Sequence, residues 1–226
     1  MTNAALIVAA GRGSRMMAGT PKQYLTLGDH AVLHHTVTAF LASDQIDVVQ
    51  VVIHPDDTAL YTAATAQITD PRLLPPVPGG VSRAASVRMG LEALAAQTPT
   101  HVLIHDAARP FCSTDLIADV LNALDHSDGA FAALPVVDAL WNTDGTQATT
   151  PVPRDGLWRA QTPQGFRYEA ILTAHQILTT NATDDVAVAR QAGLNVQVVE
   201  GDEDNFKITL PRDLIRAEQV LAHRQL

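Results

Sequence analysis

The sequence predicts an α/β protein: a doubly wound, mostly parallel sheet carrying one projecting β-arm. Three observations lead there. Of 226 residues, 46% are hydrophobic but only 4% aromatic, so the core is aliphatic, as in buried parallel strands flanked by helices. Strand-like and helix-like periodicities alternate along most of the chain, with no internal repeat or low-complexity segment. Between Val136 and Gly156 the alternation stops, and extended residues, two prolines and the turn signal Asp144-Gly145 take its place.

Taken in order, the apolar run Ala4–Ala10 is a first strand, and Ala31–Ala42, with apolar residues near 3.6 spacing, is a helix. Val48–His54 is a second strand and Asp56–Gln67 a helix. Arg72–Leu74 reads as a short third strand that ends in PPVPGG. A helix over Arg83–Ala96 leads to the strand HVLIH, His101–His105. Ser113 suits the N-cap of a helix running to about Asp125, with Asp115 favourable in its first turn. Ala130–Val137 is another strand. The stretch from about 136 to 156 has little core of its own, so it is either a β-arm packed on another subunit or a long surface loop. Helices follow at Tyr168–Thr180 and Thr183–Ala192, the second closed by Gly193. Asn195–Val199 is a strand and Pro211–Ala222 a terminal helix. Residues 1–226 read as a single domain with the arm as its appendage.

The balance of 15 Lys plus Arg against 24 Asp plus Glu gives a net charge of −9. That argues against duplex nucleic acid or an anionic membrane as partner, and no apolar run approaches the length of a membrane span. Any phosphate chemistry must gather the few cations at one site. One cysteine, Cys112, excludes an internal disulfide, and MTNAALIVAAGRG has no basic region before its apolar run. The cytoplasm is therefore the expected compartment.

Ligands of doubly wound sheets bind outside the carboxyl ends of the strands, and the chemistry-bearing stretches lie there or in the arm. AAGRGSRMMAGTPKQY, Ala9 to Tyr24, follows the first strand. Gly11 and Gly13 allow close backbone approach, and Arg12, Arg15 and Lys22 repel one another unless solvated or paired with an anion such as a triphosphate. PGGVSRAASV places Gly80, Ser82, Arg83 and Ser86 where a helix begins, which suits a base edge or phosphate, or else is only a turn. HDAARPF puts Asp106 at a strand end, placed to hold a divalent metal or orient a sugar hydroxyl, and Arg109 three residues on to contact a phosphate, or else the two form a structural pair. PRDGLWRAQTPQGF offers Arg154 and Thr162 to an acceptor phosphate, with Trp158 as an interface anchor. In EGDEDNFKIT, Lys207 follows four acids, so a salt-bridged loop competes with a substrate role. The pairs His30/His34 and His101/His105 lack the further ligands of a zinc site, and no nucleophile elbow is present.

Together these stretches, in this order, resemble the 2-C-methyl-D-erythritol 4-phosphate cytidylyltransferase family from about Ala5 to the last helix. The resemblance implies a Rossmann-like domain, a β-arm exchanged across a homodimer, CTP with Mg2+ carried mainly on its phosphates, and a polyol phosphate acceptor. It places the transition-state cations on Arg15 and Lys22. Nucleotide-binding positions fall on Ala9, Ala10, Gly11, Gly13, Gly80, Arg83 and Ser86, with Asp106 and Arg109 where the substrates meet. Arg154, from the partner's arm, Thr162 and Lys207 match positions that hold the acceptor phosphate. One departure is PVVDALW, where Ala139 and Trp141 stand in place of the family's usual threonine and lysine. A ribitol 5-phosphate cytidylyltransferase, which shares several of these stretches, and a noncatalytic nucleotide-binding protein are the rival readings. Some relatives are fused to a cyclodiphosphate synthase; here the chain ends at Leu226 without one.

Overall fold

The computed structural model describes residues 1–12, 19–177 and 182–224. In chain order these form β1 (Asn3–Ala9), a short hairpin of β2 (Thr26–Leu27) and β3 (His30–Ala31), α1 (Val32–Leu41), β4 (Val48–Ile53) and α2 (Thr58–Thr65). Then come β5 (Val77–Pro78), α3 (Arg83–Leu94), β6 (His101–Asp106), α4 (Thr114–Ala123), β7 (Gly129–Pro135), β8 (Leu140–Asp144) and β9 (Gln147–Val152). The last elements are β10 (Trp158–Arg167), α5 (Tyr168–Ile177), α6 (Asp185–Gln191), β11 (Val196–Glu200) and α7 (Pro211–Arg224).

Seven strands make the main sheet in the order β11-β7-β10-β6-β1-β4-β5. Every pairing in it is parallel except the two made by β10. The central strands are buried on both faces because helices cover both. Ala5, Ile7 and Ala9 of β1 pack with α1, α2 and α4 residues such as Phe40, Tyr61 and Ile117. Ala4 and Leu6, on the opposite face, pack with α3, α5 and α6 through Leu91, Ile171 and Val188. A third cluster seats α7 against the β2–β3 hairpin, with Ala217 and Leu27 at its centre. Chain progression runs from β1 toward β4 on one side and toward β6 on the other, so the switch point lies beside the carboxyl end of β1.

Two segments depart from the sequence reading. Arg72–Leu74 is not a strand: Leu73 makes only an isolated bridge to Val49, and β5 forms farther on. The Arg72 guanidinium donates to the carbonyls of Leu41, Ser43 and Ile46, so this residue closes the end of α1. β10 was not anticipated. Its sequence, WRAQTPQGFR, contains a proline and polar residues, which normally argue against a central strand. The ladder accommodates Pro163 where register with β7 shifts between Ala160 and Gln164, and the Thr162-Pro163 peptide is cis.

The arm is present as a hairpin. β8 and β9 pair only with each other, across a Gly145-Thr146 turn in which Gly145 takes φ 61°. Its residues are almost all exposed, including Trp141 at 55%.

Phe166 anchors β10: it is fully buried, and its ring lies where a Cβ on Gly129 would stand. Phe166→Ala should lower the free energy of unfolding by about 3–5 kcal/mol in urea denaturation. A loss below about 1 kcal/mol would mean that β10 is not built into the core.

Candidate active site

The site is assembled from four loops at the carboxyl ends of β1, β5, β6 and β11. The β1 loop is braced by Gln23, whose buried amide donates to the carbonyls of Ala9 (2.6 Å) and Gly11 (3.1 Å). Pro21 to Tyr24 forms a tight turn, and from it Lys22 reaches across to donate to the Ile208 carbonyl at 2.7 Å. Gly79 sits against the end of β1 so closely that a Cβ there would stand 2.5 Å from that of Ala10, so only glycine lets the PGG loop approach. Ser86 then fastens this loop to α3, accepting from the Gly80 N–H at 3.1 Å and donating to the Ser82 carbonyl.

The loop after β11 is sewn onto the HDAARP turn. The Ile208 N–H donates to the Ala108 carbonyl, and the Arg109 guanidinium to the Asn205 carbonyl at 2.7 Å. Asn205 in turn donates to the Thr162 carbonyl of β10. This stitching sets Lys207 Nζ 2.8 Å from Asp106 Oδ2. Arg109 Nε stands 3.5 Å from the same oxygen, and Arg83 Nε 3.8 Å from Oδ1. Burial raises the Asp106 pKa, but Lys207, Arg83 and Arg109 outweigh it and hold the carboxyl well below the usual range. Asp106 is thus an anion kept charged by its cations.

A cleft of about 430 Å3 opens over these groups, lined by Ala9, Ala10, Gly11, Lys22, Gly80, Arg83, Ser86, Asp106 and Lys207 among others. An adjoining cavity of about 190 Å3 takes in Arg109, Thr162, Gln161 and Thr183, and shares Arg83, Asp106 and Lys207 with the first. Nine sequence-predicted residues therefore meet around one cleft, and two more beside it. Gly13 and Arg15 lie outside the described residues. Arg154 stands apart, at the base of the arm, where it donates to the Val137 carbonyl.

Arg12 departs from the expectation that the loop's cations need a ligand anion. Its guanidinium pairs with Asp57 (2.8 Å) and Asp56 (3.0 Å) after β4, and also contacts His54 Nδ1. The acids of the loop after β11 are occupied as well: Glu203 meets Arg159, and Asp204 lies 3.8 Å from Arg216.

Two buried groups beside the cleft were not among the sequence-predicted site residues. His105 is fully buried, its Nε2 3.0 Å from the Arg109 carbonyl and its Nδ1 3.0 Å from Thr162 Oγ1. A carbonyl only accepts, so Nε2 carries the hydrogen and Thr162 donates to Nδ1; the Thr162 oxygen then accepts from the Asp106 N–H at 3.1 Å. Asp185, at the start of α6, is buried, ion-paired with Arg83 at 2.8 Å and hydrogen-bonded to His175 Nε2 at 3.1 Å. Burial raises its pKa, yet Arg83 and His175 bring the net shift downward. The signal available in sequence was the pair Asp184-Asp185, which reads equally well as a helix start; Asp184 is indeed the cap of α6.

Residues 3–223 match the family model described as IspD: 2-C-methyl-D-erythritol 4-phosphate cytidylyltransferase. The chain belongs to this family. It is 51% identical to the 2-C-methyl-D-erythritol 4-phosphate cytidylyltransferase of Cereibacter sphaeroides over 98% of both chains. It is 50% identical to the bifunctional enzyme IspD/IspF of Rhodospirillum rubrum, covering 96% of this chain but 56% of that one. The crystal structure of the Thermus thermophilus 2-C-methyl-D-erythritol 4-phosphate cytidylyltransferase superposes with a TM-score of 0.77 at 33% identity, over 96% and 98% of the two chains. The α/β fold with its large, mostly parallel sheet is that of the cytidylyltransferase family, and the chain is a nucleotidyltransferase.

Burial pulls the His105 pKa down from 6.5 to about 4. As pH falls from 6.5 to 4 the unfolded chain binds a proton here that the native chain refuses, so native stability is lost across that window. The loss should reach about 3 kcal/mol at its lower end. Urea denaturation from neutral pH down through that window should show this slope in the native sequence and a flatter one in His105→Gln. Equal slopes would remove His105 as its source.

Proposed function

We propose that the enzyme joins CTP to 2-C-methyl-D-erythritol 4-phosphate, giving CDP-methylerythritol and pyrophosphate, and that residues 1–226 act as one nucleotidyltransferase domain whose β-arm docks on a second copy. The observation that carries this is the convergence of Lys22, Arg83 and Lys207 on two adjoining cavities, the last two residues lining both. The larger cavity suits the nucleotide, held by the backbone of Ala9, Ala10, Gly11 and Gly80 and by Ser86. The smaller suits the acceptor, with Arg109, Thr162 and Lys207 around its phosphate and Arg154 supplied by the partner's arm. Gly13 and Arg15 complete the nucleotide loop in this reading.

An acceptor phosphate oxygen attacks the α-phosphorus of CTP. The new phosphorus–oxygen bond forms as the bond to the bridging oxygen breaks, and pyrophosphate leaves with that electron pair. A phosphate monoester has its second pKa near about 6, so the nucleophile arrives deprotonated and no general base is required. The residues agree with that: His105 is locked between Thr162 and a carbonyl, and burial raises the Cys112 thiol far above neutrality. What two polyanions need is positive charge where they meet, and Arg15, Lys22, Arg83 and Lys207 provide it.

The residues fit Mg2+ only as an ion carried on the triphosphate. Among the described residues Asp106 is the cleft's one carboxylate, and no group of three potential ligands forms a cage. Asp106 is engaged by Lys207, Arg109 and Arg83, so the phosphates would hold the ion, which would neutralise their charge. Ala139 is exposed at the base of the arm, so the hydroxyl missing there removes one acceptor contact, worth about 0.5–1.5 kcal/mol. The arm's exposed Trp141, with Val137 and Trp158 at its base, supports docking on a second subunit. No described helix is long and apolar enough to cross a membrane, and the free thiol Cys112 suits the cytoplasm, where we place the enzyme.

Pyrophosphate release should appear with CTP and methylerythritol phosphate, and far more weakly with ATP, GTP or UTP or with ribitol 5-phosphate. Preference for ribitol 5-phosphate, or CTP bound but never cleaved, would displace the reading. Lys22→Ala should lower kcat by roughly 10³-fold, by analogy with transition-state cations in phosphoryl transfer. If Arg154 acts across the dimer, unfolding and reannealing equal amounts of Lys22→Ala and Arg154→Ala should restore about a quarter of the native sites. No recovery in a confirmed mixed dimer would place Arg154 in its own subunit's site.

A further inference from the structure

Arg83 is held in a way that substrate binding alone does not require. Its side chain lines both cavities, and its guanidinium spans two carboxylates. Nη2 lies 2.8 Å from Asp185 Oδ2, while Nε faces Asp106 Oδ1 at 3.8 Å. The two acids differ in situation. Asp106 stands in the cleft and shares its charge with Lys207 and Arg109. Asp185 touches neither cavity: it is fully buried, behind Arg83, and among the described residues lines no part of the site.

Asp185 is itself immobilised from three directions. Its Oδ1 takes the His175 Nε2 contact at 3.1 Å, and its own N–H donates to Gln164 Oε1 on β10 at 3.0 Å. The neighbouring Asp184 caps α6 by accepting from the Ala187 N–H. A buried carboxylate fixed to the sheet and to α5 is a rigid electrostatic anchor, and a planar guanidinium facing it has little freedom to turn.

We propose that Asp185, braced by His175, is a positioning residue that aims the Arg83 guanidinium at the boundary between the nucleotide and acceptor cavities. This rests on the cytidylyltransferase reading above. Without the anchor, Arg83 has only Asp106 to face and swings toward it. Its charge then leaves the point where acceptor phosphate and α-phosphate meet, and Asp106 turns from its partnership with Lys207. Asp185 touches no substrate; its effect travels through Arg83.

A double-mutant cycle isolates that path. Asp185→Asn keeps the shape and removes the charge, and should cost roughly 10²-fold in kcat/KM for the acceptor, the scale of a small misplacement at a reacting centre. In an Arg83→Gln background the same change should cost less than about threefold, because nothing remains to be aimed. Equal losses in both backgrounds would overturn the proposal and leave Asp185 a purely structural residue. Should Asp185→Asn fail to fold by circular dichroism, His175→Gln loosens the same carboxylate and runs the same cycle with the same two outcomes. The native enzyme separates the two levels of inference. Native turnover with an additive cycle removes the positioning role alone; no native turnover with any polyol phosphate removes the functional reading and this role with it.

Discussion

The arrangement of the site depends on one carboxylate that is outnumbered. Asp106 meets Lys207, Arg83 and Arg109, each delivered by a different loop or helix. Three cations brought this close would push their loops apart without an anion among them, and a lone buried carboxylate would take up a proton. Each side makes the other tenable. The excess of positive charge that remains is what a site for two phosphates needs, and the sheet supplies it in an otherwise acidic protein.

That excess has limits set by further acids outside the two cavities. Asp57 and Asp56 take Arg12 aside at the mouth of the cleft, and Asp185 holds the far side of Arg83 from within the core. Lys22 is drawn toward Ile208, which ties the first loop of the chain to the last. The cations lining the cavities are therefore divided between Arg12 and Arg83, held by acids outside them, and Lys207, held by Asp106 within. The division is made by burial: Asp185 lies inside the protein and Asp106 at the edge of the cleft.

β10 couples this charge network to the arm. It leaves the arm at Trp158, crosses the sheet antiparallel to its neighbours, and carries Gln161, Thr162 and Gln164 past Asp106, Asn205 and Asp185. One strand thus joins the base of the arm to the lining of the smaller cavity, with a register change between Ala160 and Gln164.

Much of the architecture was legible in the chain because its signals are local. The apolar runs of β1, β4 and β6 are buried on both faces, so they stand out without alternation. The glycine loops, PKQY and HDAARP announce strand ends by the backbone freedom and charge they bring. β10 was hidden because its proline and glutamines serve a bulge and a network that exist only once neighbouring strands are in place. Arg12 and Asp185 were hidden for the same reason, since their partners Asp57 and Arg83 lie in distant segments of the chain. By itself the sequence determined which polar and charged groups stand at the strand ends, as residue chemistry and strand ends are properties of short segments. Only the tertiary structure decided which acid each of those cations meets and how deeply the pair is buried, because Coulomb interactions depend on distance and burial in space, and neither is written along the chain.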